Sequence, residues 1–419
     1  MTDTPPNPSA EGESAPAAAA AASRVDREET VTLLQDLVRI ESPYFREEAA
    51  VEHVFEWLDG RGLDPEYHQV SESELTGYEG RNVLARLEGT DPDAPTLLLN
   101  AHVDTVELVD AWEEDPLSGR VEDGDLYGQG AADMKAGVAA AMVAFDAVAS
   151  SDVELAGDLL LAVVVDEEGP YGLGTDQLIR DGITDDCDMA VVTEPGPILA
   201  REDVDNPALF LGARGRFLYD VEVVGEAAHA SAPTRGTNAV VDAGRLADGL
   251  AEMDTADHPL LGSGSVCPLQ VEGGGETLSV PESCRLLVDR HVVPGETEAS
   301  VRADAREVAE ALDLDSRVEV GLRDVPHEGA RYGPYVVEED EPLVAGLQEA
   351  TETVVGETPA VGYFRSVGDF NYLGHRAGLP TVILGPDGGN IHTAGEHVDV
   401  GETVEVARIL AAGAVGLLS

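Results

Sequence analysis

The chain has 419 residues, with 82 Asp and Glu against 25 Lys and Arg, and a formal net charge of −57. So negative a surface is expected to repel nucleic acid and anionic membrane. No apolar run reaches the roughly 18 residues of a membrane span. The length suggests two or three domains and a sizeable core.

The only lysine is Lys135. Acid excess with so little lysine reads as the composition of a halophile with a salt-rich cytoplasm. In about 1 M salt the Debye length falls to about 3 Å and the self-repulsion is screened. The cysteines are Cys187, Cys267 and Cys284, an odd number without a CxxC pair. That fits a reducing, cytoplasmic setting and neither a disulfide framework nor a cysteine zinc site.

Residues 1–26 read as a disordered tail. They carry Pro, Ser and an alanine run, and acids stand where a signal peptide needs bases. Val31, Leu34, Leu37 and Val38 share one helical face, and a second helix fits Glu47 to Arg61. Thr96 to Leu99 reads as a buried strand, Asp133 to Ala149 as an alanine-rich helix, Leu159 to Val165 as a central strand and Ala190 to Thr193 as another. This alternation predicts an α/β fold with a parallel or mixed sheet flanked by helices. The texture then changes. Alternation in Phe217 to Val224 and Arg285 to Val293, helices at Asn238 to Met253 and Ser300 to Leu312, and a strand at Arg317 to Leu322 predict an inserted α+β unit over 213–329. The α/β pattern of 27–212 resumes over 330–419, with a strand at Thr381 to Leu384 and a closing helix from about Thr403.

The chemistry follows the strands. The first runs into His102-Val103-Asp104, the next into Asp166-Glu167-Glu168, the third into Glu194. Ligands of open α/β sheets bind beyond the carboxyl ends of the strands. Asp133 follows a glycine-rich segment and His392 follows the last strand by a glycine-rich loop. Imidazoles and carboxylates in this number suit two divalent ions, zinc first and cobalt or manganese as alternatives. Each ion would take one imidazole and one terminal carboxylate, with a third carboxylate bridging. His102 and Asp104 are two apart, so Asp104 can accept the second imidazole N–H. Glu167 and Glu168 should point differently, one toward metal and one toward the proton of a water. Gly128-Gln129-Gly130-Ala131-Ala132-Asp133 is a poor dinucleotide fingerprint: its sixth residue is Asp and no clear strand precedes it.

Read together, His102-Val103-Asp104-Thr105-Val106, Tyr127 to Gly137, Asp166-Glu167-Glu168-Gly169, Thr193-Glu194-Pro195, Gly225 to Pro233 and His392 to Val398 resemble the M20 metallopeptidases. The likeness is to the branch with acetylornithine deacetylase, succinyl-diaminopimelate desuccinylase and carboxypeptidase G2. It implies a two-part catalytic domain with an inserted lid that makes a homodimer. It implies that His102 and Glu194 complete one metal site, Glu168 and His392 the other, and that Asp133 bridges them. Glu167 would be the general base, with Asp104 orienting His102. His229 would stabilise the oxyanion, Asn238 would lie near substrate and Arg290 would bind a substrate carboxylate. The implied reaction is hydrolysis of an N-acyl amino acid. The alternatives are an exopeptidase or dipeptidase, a binding protein of the same fold, and a dinuclear phosphoesterase that the negative surface disfavours. Ser366-Val367-Gly368-Asp369 and His291 depart from the common pattern, where substrate choice is set.

Overall fold

The computed structural model describes residues 11–196, 204, 206–274, 278–327 and 329–419. They form two compact units, one reaching Ala213 and resuming at Val336–Ser419, the other Arg214–Tyr335. The second ends beyond the expected 329 because the Arg216 N–H donates to the Tyr332 carbonyl at 2.8 Å.

The first unit is built on a mixed sheet. Seven of its strands lie in the spatial order Glu66–Glu72, Tyr78–Leu87, Leu159–Val164, Leu97–His102, Met189–Val192, Thr381–Ile383 and Ala208–Ala213. Leu97–His102 pairs in parallel with both Leu159–Val164 and Met189–Val192, and the latter pairs in parallel with Thr381–Ile383. These four strands are buried throughout, which is why they read as continuous apolar runs. Being parallel neighbours, they place the residues that follow them along one edge. The strands Glu66–Glu72, Tyr78–Leu87, Ala208–Ala213 and Ala360–Phe364 were not foreseen; the outer two alternate buried and exposed residues too irregularly to stand out.

Three sequence expectations are corrected. The tail contains a helix, Glu11–Ala22, in which Ala18, Ala21 and Ala22 are buried. It packs on the closing helix Val400–Leu418, whose own alanines and glycines allow close approach. Residues 1–10 lie outside the described residues. The helix expected from Asp133 starts at Ala136. Asp133 is held in an extended conformation (φ −116°, ψ 94°) within a wide turn, Ala131–Lys135. A short strand, Asp125–Tyr127, does precede the Gly128 segment.

The second unit is a four-stranded antiparallel sheet in the order Ser265–Gly273, Ser283–Val292, Gly215–Val224 and Arg317–Leu322. Helices Ala239–Ala251 and Glu298–Ala311 cover one face. Leu246, Leu250, Val301 and Ala305 pack there with Val221, Val223, Leu286 and Val288. Among the described residues, no helix is long and apolar enough to cross a membrane.

Candidate metal centre

The parallel edge of the first unit gathers the predicted residues. His102 ends its strand opposite Val164, and the chain continues beside that strand because the Val103 N–H donates to the Val164 carbonyl at 3.0 Å. Beyond Val164 the backbone turns sharply at Asp166 (φ 59°). A Cβ on Gly169 would lie 1.8 Å from Asp166 Oδ1, so a larger residue there would push the Asp166 carboxylate aside. Glu167 and Glu168 are thereby swung over the strand ends.

The donor atoms are close together. His102 Nε2 lies 3.2 Å from Asp133 Oδ1 and 3.3 Å from Glu194 Oε1. His392 Nε2 lies 3.3 Å from Asp133 Oδ2 and 2.7 Å from Glu168 Oε1. Asp133 thus turns one oxygen to each imidazole. Two ligand atoms about 2.0–2.1 Å from one ion at a tetrahedral angle stand about 3.3 Å apart. Three of the four spacings therefore fit divalent ions held by imidazole and carboxylate, and at 2.7 Å His392 and Glu168 are hydrogen-bonded directly. Ligand atoms of His102, Glu167 and Glu194 lie within 4.8 Å of one another, as do those of His102, Asp133 and Glu168. Glu167 Oε2 is 3.7 Å from His102 Nε2 and approaches the same centre without joining the Asp133 bridge.

Asp104 meets His102 mainly through its backbone. His102 Nδ1 donates to the Asp104 main-chain carbonyl at 3.1 Å, while the carboxylate stands 3.5 Å away. The carboxylate instead accepts the N–H of Glu167 at 3.2 Å and of Glu168 at 2.9 Å. Asp104 fixes the imidazole tautomer through its backbone and both glutamates through its side chain. Sequence spacing foresaw that two residues face one way; it carried no sign of the third partner.

The electrostatics call for cations. Burial and then the Asp133 charge push Glu168 up to about 8 and Glu194 up to about 7. Burial, with Glu194 and Glu168 adding to it against His102, raises Glu167 well above the carboxylate range. Burial would also raise Asp133, but hydrogen bonds from His102 and His392 outweigh it and keep the carboxyl well below its ordinary value. Burial opposes protonation of His392, yet its bonds to Asp133 and Glu168 carry it up to about 11. Four buried or half-buried carboxylates and two imidazoles are the environment that a pair of divalent ions neutralises.

The centre opens into a cavity of about 420 Å³ lined also by Phe364, Ser366, Phe370 and Asn390. Among the described residues, the buried acids near it that had no assigned role in the sequence include Glu396 and Asp369. Glu396, in the His392 motif, accepts three backbone N–H groups. Asp369 is pushed up to about 8, chiefly by burial. The first was visible only as a motif letter and the second only as the end of a departure from the common pattern.

Three predicted residues belong to the second unit. His229 is exposed, and its Nδ1 accepts the Ser231 N–H at 3.1 Å, which leaves the proton on Nε2. Asn238 caps the Ala239–Ala251 helix, accepting from Val240 and Val241 N–H at 3.1 and 3.3 Å. Arg290 is the third of these residues. It is 1% exposed, on the helix-covered side of its strand, with its guanidinium on Glu296 and 3.8 Å from Asp304. In this arrangement its Nη2 meets carboxylates of its own unit, while Nε and Nη1 have no hydrogen-bond partner among the described residues.

A histidine–carboxylate centre on the carboxyl edge of a parallel sheet, with a further glutamate beside it, defines a metal-dependent hydrolase of amide or peptide bonds. The chain belongs to peptidase family M20/M25/M40, whose profile matches residues 98–414. It is 28% identical over 359 residues to N-formyl-4-amino-5-aminomethyl-2-methylpyrimidine deformylase of Bacillus subtilis (strain 168), covering 78% of this chain and 81% of that protein. It is 29% identical over 378 residues to succinyl-diaminopimelate desuccinylase of Cereibacter sphaeroides (strain KD131 / KCTC 12085), covering 89% and 94%. The fold matches the crystal structure of aminopeptidase PepT from Bacillus cereus ATCC 10987, with a TM-score of 0.75, 21% identity and 94% and 99% coverage. The Gly128 loop is no phosphate cradle: its Gly130, Ala132 and Asp133 N–H groups are already taken by Glu396.

Proposed function

We propose that the protein is a di-zinc deacylase that removes a small acyl group from an N-acyl amino acid or related small amide. The observation that carries this reading is the placing of Asp133 between two imidazoles, with Glu167 at the same centre. Relatives named as a deformylase and a desuccinylase support acyl removal as the reaction. His102 and Glu194 would hold one ion, Glu168 and His392 the other, with Asp133 shared. When bound, such ions acidify water and polarise a carbonyl. Glu167 takes the proton of the attacking water and returns it to the leaving nitrogen; its raised affinity for a proton suits both steps. Asp104 keeps His102 and the two glutamates in register. For His229 we assign the oxyanion donor role, supported by its Nε2–H tautomer. Asn238 would act on substrate only indirectly, by ordering the helix it caps.

The working state we assign is a cytoplasmic homodimer in high salt. The edge strand Ser265–Gly273 supports dimerisation: Leu269 and Val271 on it are 55% and 54% exposed, and Val241 at the start of Ala239–Ala251 is exposed as well. Exposed apolar side chains grouped on one surface favour contact with a second copy. Sedimentation of the wild type and of Val271→Glu tests this, with a dimer expected to dissociate in the variant.

An exopeptidase or dipeptidase is the second reading, favoured by the family's peptidase description. The deciding assay is hydrolysis in high salt with zinc, cobalt or manganese. The panel holds N-formyl, N-acetyl and N-succinyl amines and amino acids beside dipeptides, with a chelated control. Acid release from acylated amines supports the deacylase. Preference for dipeptides supports the peptidase.

A further inference from the structure

We infer that Glu396 is a positioning residue that locks the shared carboxylate of Asp133 against His392, and so sets the affinity for the metal pair. This rests on the metal reading above and concerns a residue that touches neither metal nor substrate.

The geometry is specific. Glu396 is 1% exposed. Its Oε2 accepts the Gly130 N–H at 2.9 Å, and its Oε1 accepts those of Ala132 at 3.0 Å and Asp133 at 3.1 Å. Its carbonyl accepts the Gly128 N–H at 3.0 Å. One residue therefore collects four N–H groups of the loop that carries Asp133. Gly130 adopts φ 73° to turn those amides inward, and Asp133 is extended rather than helical. Without an acceptor at their centre, three buried donors would be orphaned, and the turn would lose its reason to hold this shape.

The other end of the link is equally short. Glu396 follows His392 by four residues in a loop closed on itself: Asn390 Nδ2 donates to the Gly395 carbonyl at 3.1 Å, and the Thr393 N–H to the Asn390 carbonyl at 3.0 Å. His392 (φ 58°) then meets Asp133 Oδ2 at 3.3 Å. The loops of Asp133 and His392 are thus joined twice, once where ions would bind and once behind, through Glu396. Lys135, buried on the same loop, donates to the Ile40 carbonyl at 2.7 Å; burial brings its ammonium down to about 7, and the Glu396 charge is the largest one opposing that. Partners that orient metal ligands from behind are worth about 10- to 100-fold in metal affinity.

The test is a cobalt titration of chelator-stripped protein in high salt, followed by visible absorption and calorimetry, for the wild type, Glu396→Gln and Glu396→Asp. Gln keeps the volume but turns an amide N–H₂ toward backbone donors. Asp keeps the charge but shortens the reach. The wild type is expected to bind two ions. Each folded variant is expected to bind at least one of them about 10- to 100-fold more weakly, with circular dichroism unchanged and hydrolysis partly recovered at raised cobalt. A purely structural role would lower the melting temperature and leave affinity alone. Wild-type affinity for both ions in either folded variant would overturn the inference, and Asp carries the test if Gln does not fold. A wild type that binds no metal pair would instead sink the metal reading, and this inference with it.

Discussion

Asp104 and Glu168 stand 64 residues apart, and the Asp104 carboxylate accepts the Glu168 N–H at 2.9 Å. The same carboxylate accepts the Glu167 N–H, and the Asp104 carbonyl holds His102 Nδ1. A candidate base and two candidate ligands are thus registered by one residue that need not touch an ion.

Asp104→Ala removes the acceptor for both amides and leaves the glutamate turn unanchored. Metal affinity is expected to fall about 10- to 100-fold, read by competition with a chromogenic chelator. Asp104→Asn should lose less, because its amide oxygen can still accept.

Glu167→Gln keeps the shape of the site but cannot take a proton. The expected loss is about 10²- to 10⁴-fold in kcat, with KM and bound metal nearly unchanged. Steady-state kinetics with metal analysis of the same samples checks it. A loss of metal in parallel with kcat would make Glu167 a ligand instead.

Gly137 is the second residue of the helix that starts at Ala136, and a Cβ there would meet the Thr193 carbonyl at 2.1 Å. Backbone cannot yield as a side chain can, so Gly137→Ala should cost about 1–3 kcal/mol. It should also displace Glu194, the next residue. Calorimetric melting and cobalt binding would register the two effects separately.

Glu72 provides a pH test away from the metal centre. Burial would raise its carboxyl, but Thr76 Oγ1 and the N–H groups of Thr76, Glu74 and Leu75 bring it down to about 2. The folded value lies below the unfolded one, so its stabilisation is full above the ordinary value of 4.5 and is lost as pH falls toward about 2. Glu72→Gln should melt lower than the wild type above about pH 5, and the gap should close on acidification.

Salt dependence follows from the charge of −57. Dialysis from about 3 M to about 0.1 M salt lengthens the Debye length from under 3 Å to about 10 Å. Circular dichroism should then report loss of structure, and re-addition of salt before aggregation should restore it. An unchanged spectrum would count against the halophilic reading.

Much of this protein could be read before it folded. Four buried parallel strands announced themselves as apolar runs, because a strand covered on both faces has no polar side to display. What came directly after them, His102, Glu167, Glu168, Glu194 and at longer range His392, marked one edge of the sheet by position alone. Glu66–Glu72, Tyr78–Leu87 and Ala360–Phe364 were illegible because half-exposed positions blur the alternation. Alanine composition alone hid the Glu11–Ala22 helix, which depends on packing against Val400–Leu418 rather than on a face of its own.

Tertiary structure alone decided the rest. Local sequence offers Arg290 many acids in so acidic a chain, and only the fold shows that Glu296 takes it. Spacing suggested that Asp104 serves His102, but its second task depends on a turn two strands away in sequence and adjacent in space. Glu396 is the extreme case, since the amides it binds lie 263 to 268 residues earlier. Residue type and period carry local preference and burial. The partner of a buried polar group is set by which distant loops the sheet brings together, because hydrogen bonds are decided within about 3 Å and leave no trace in the order of residues.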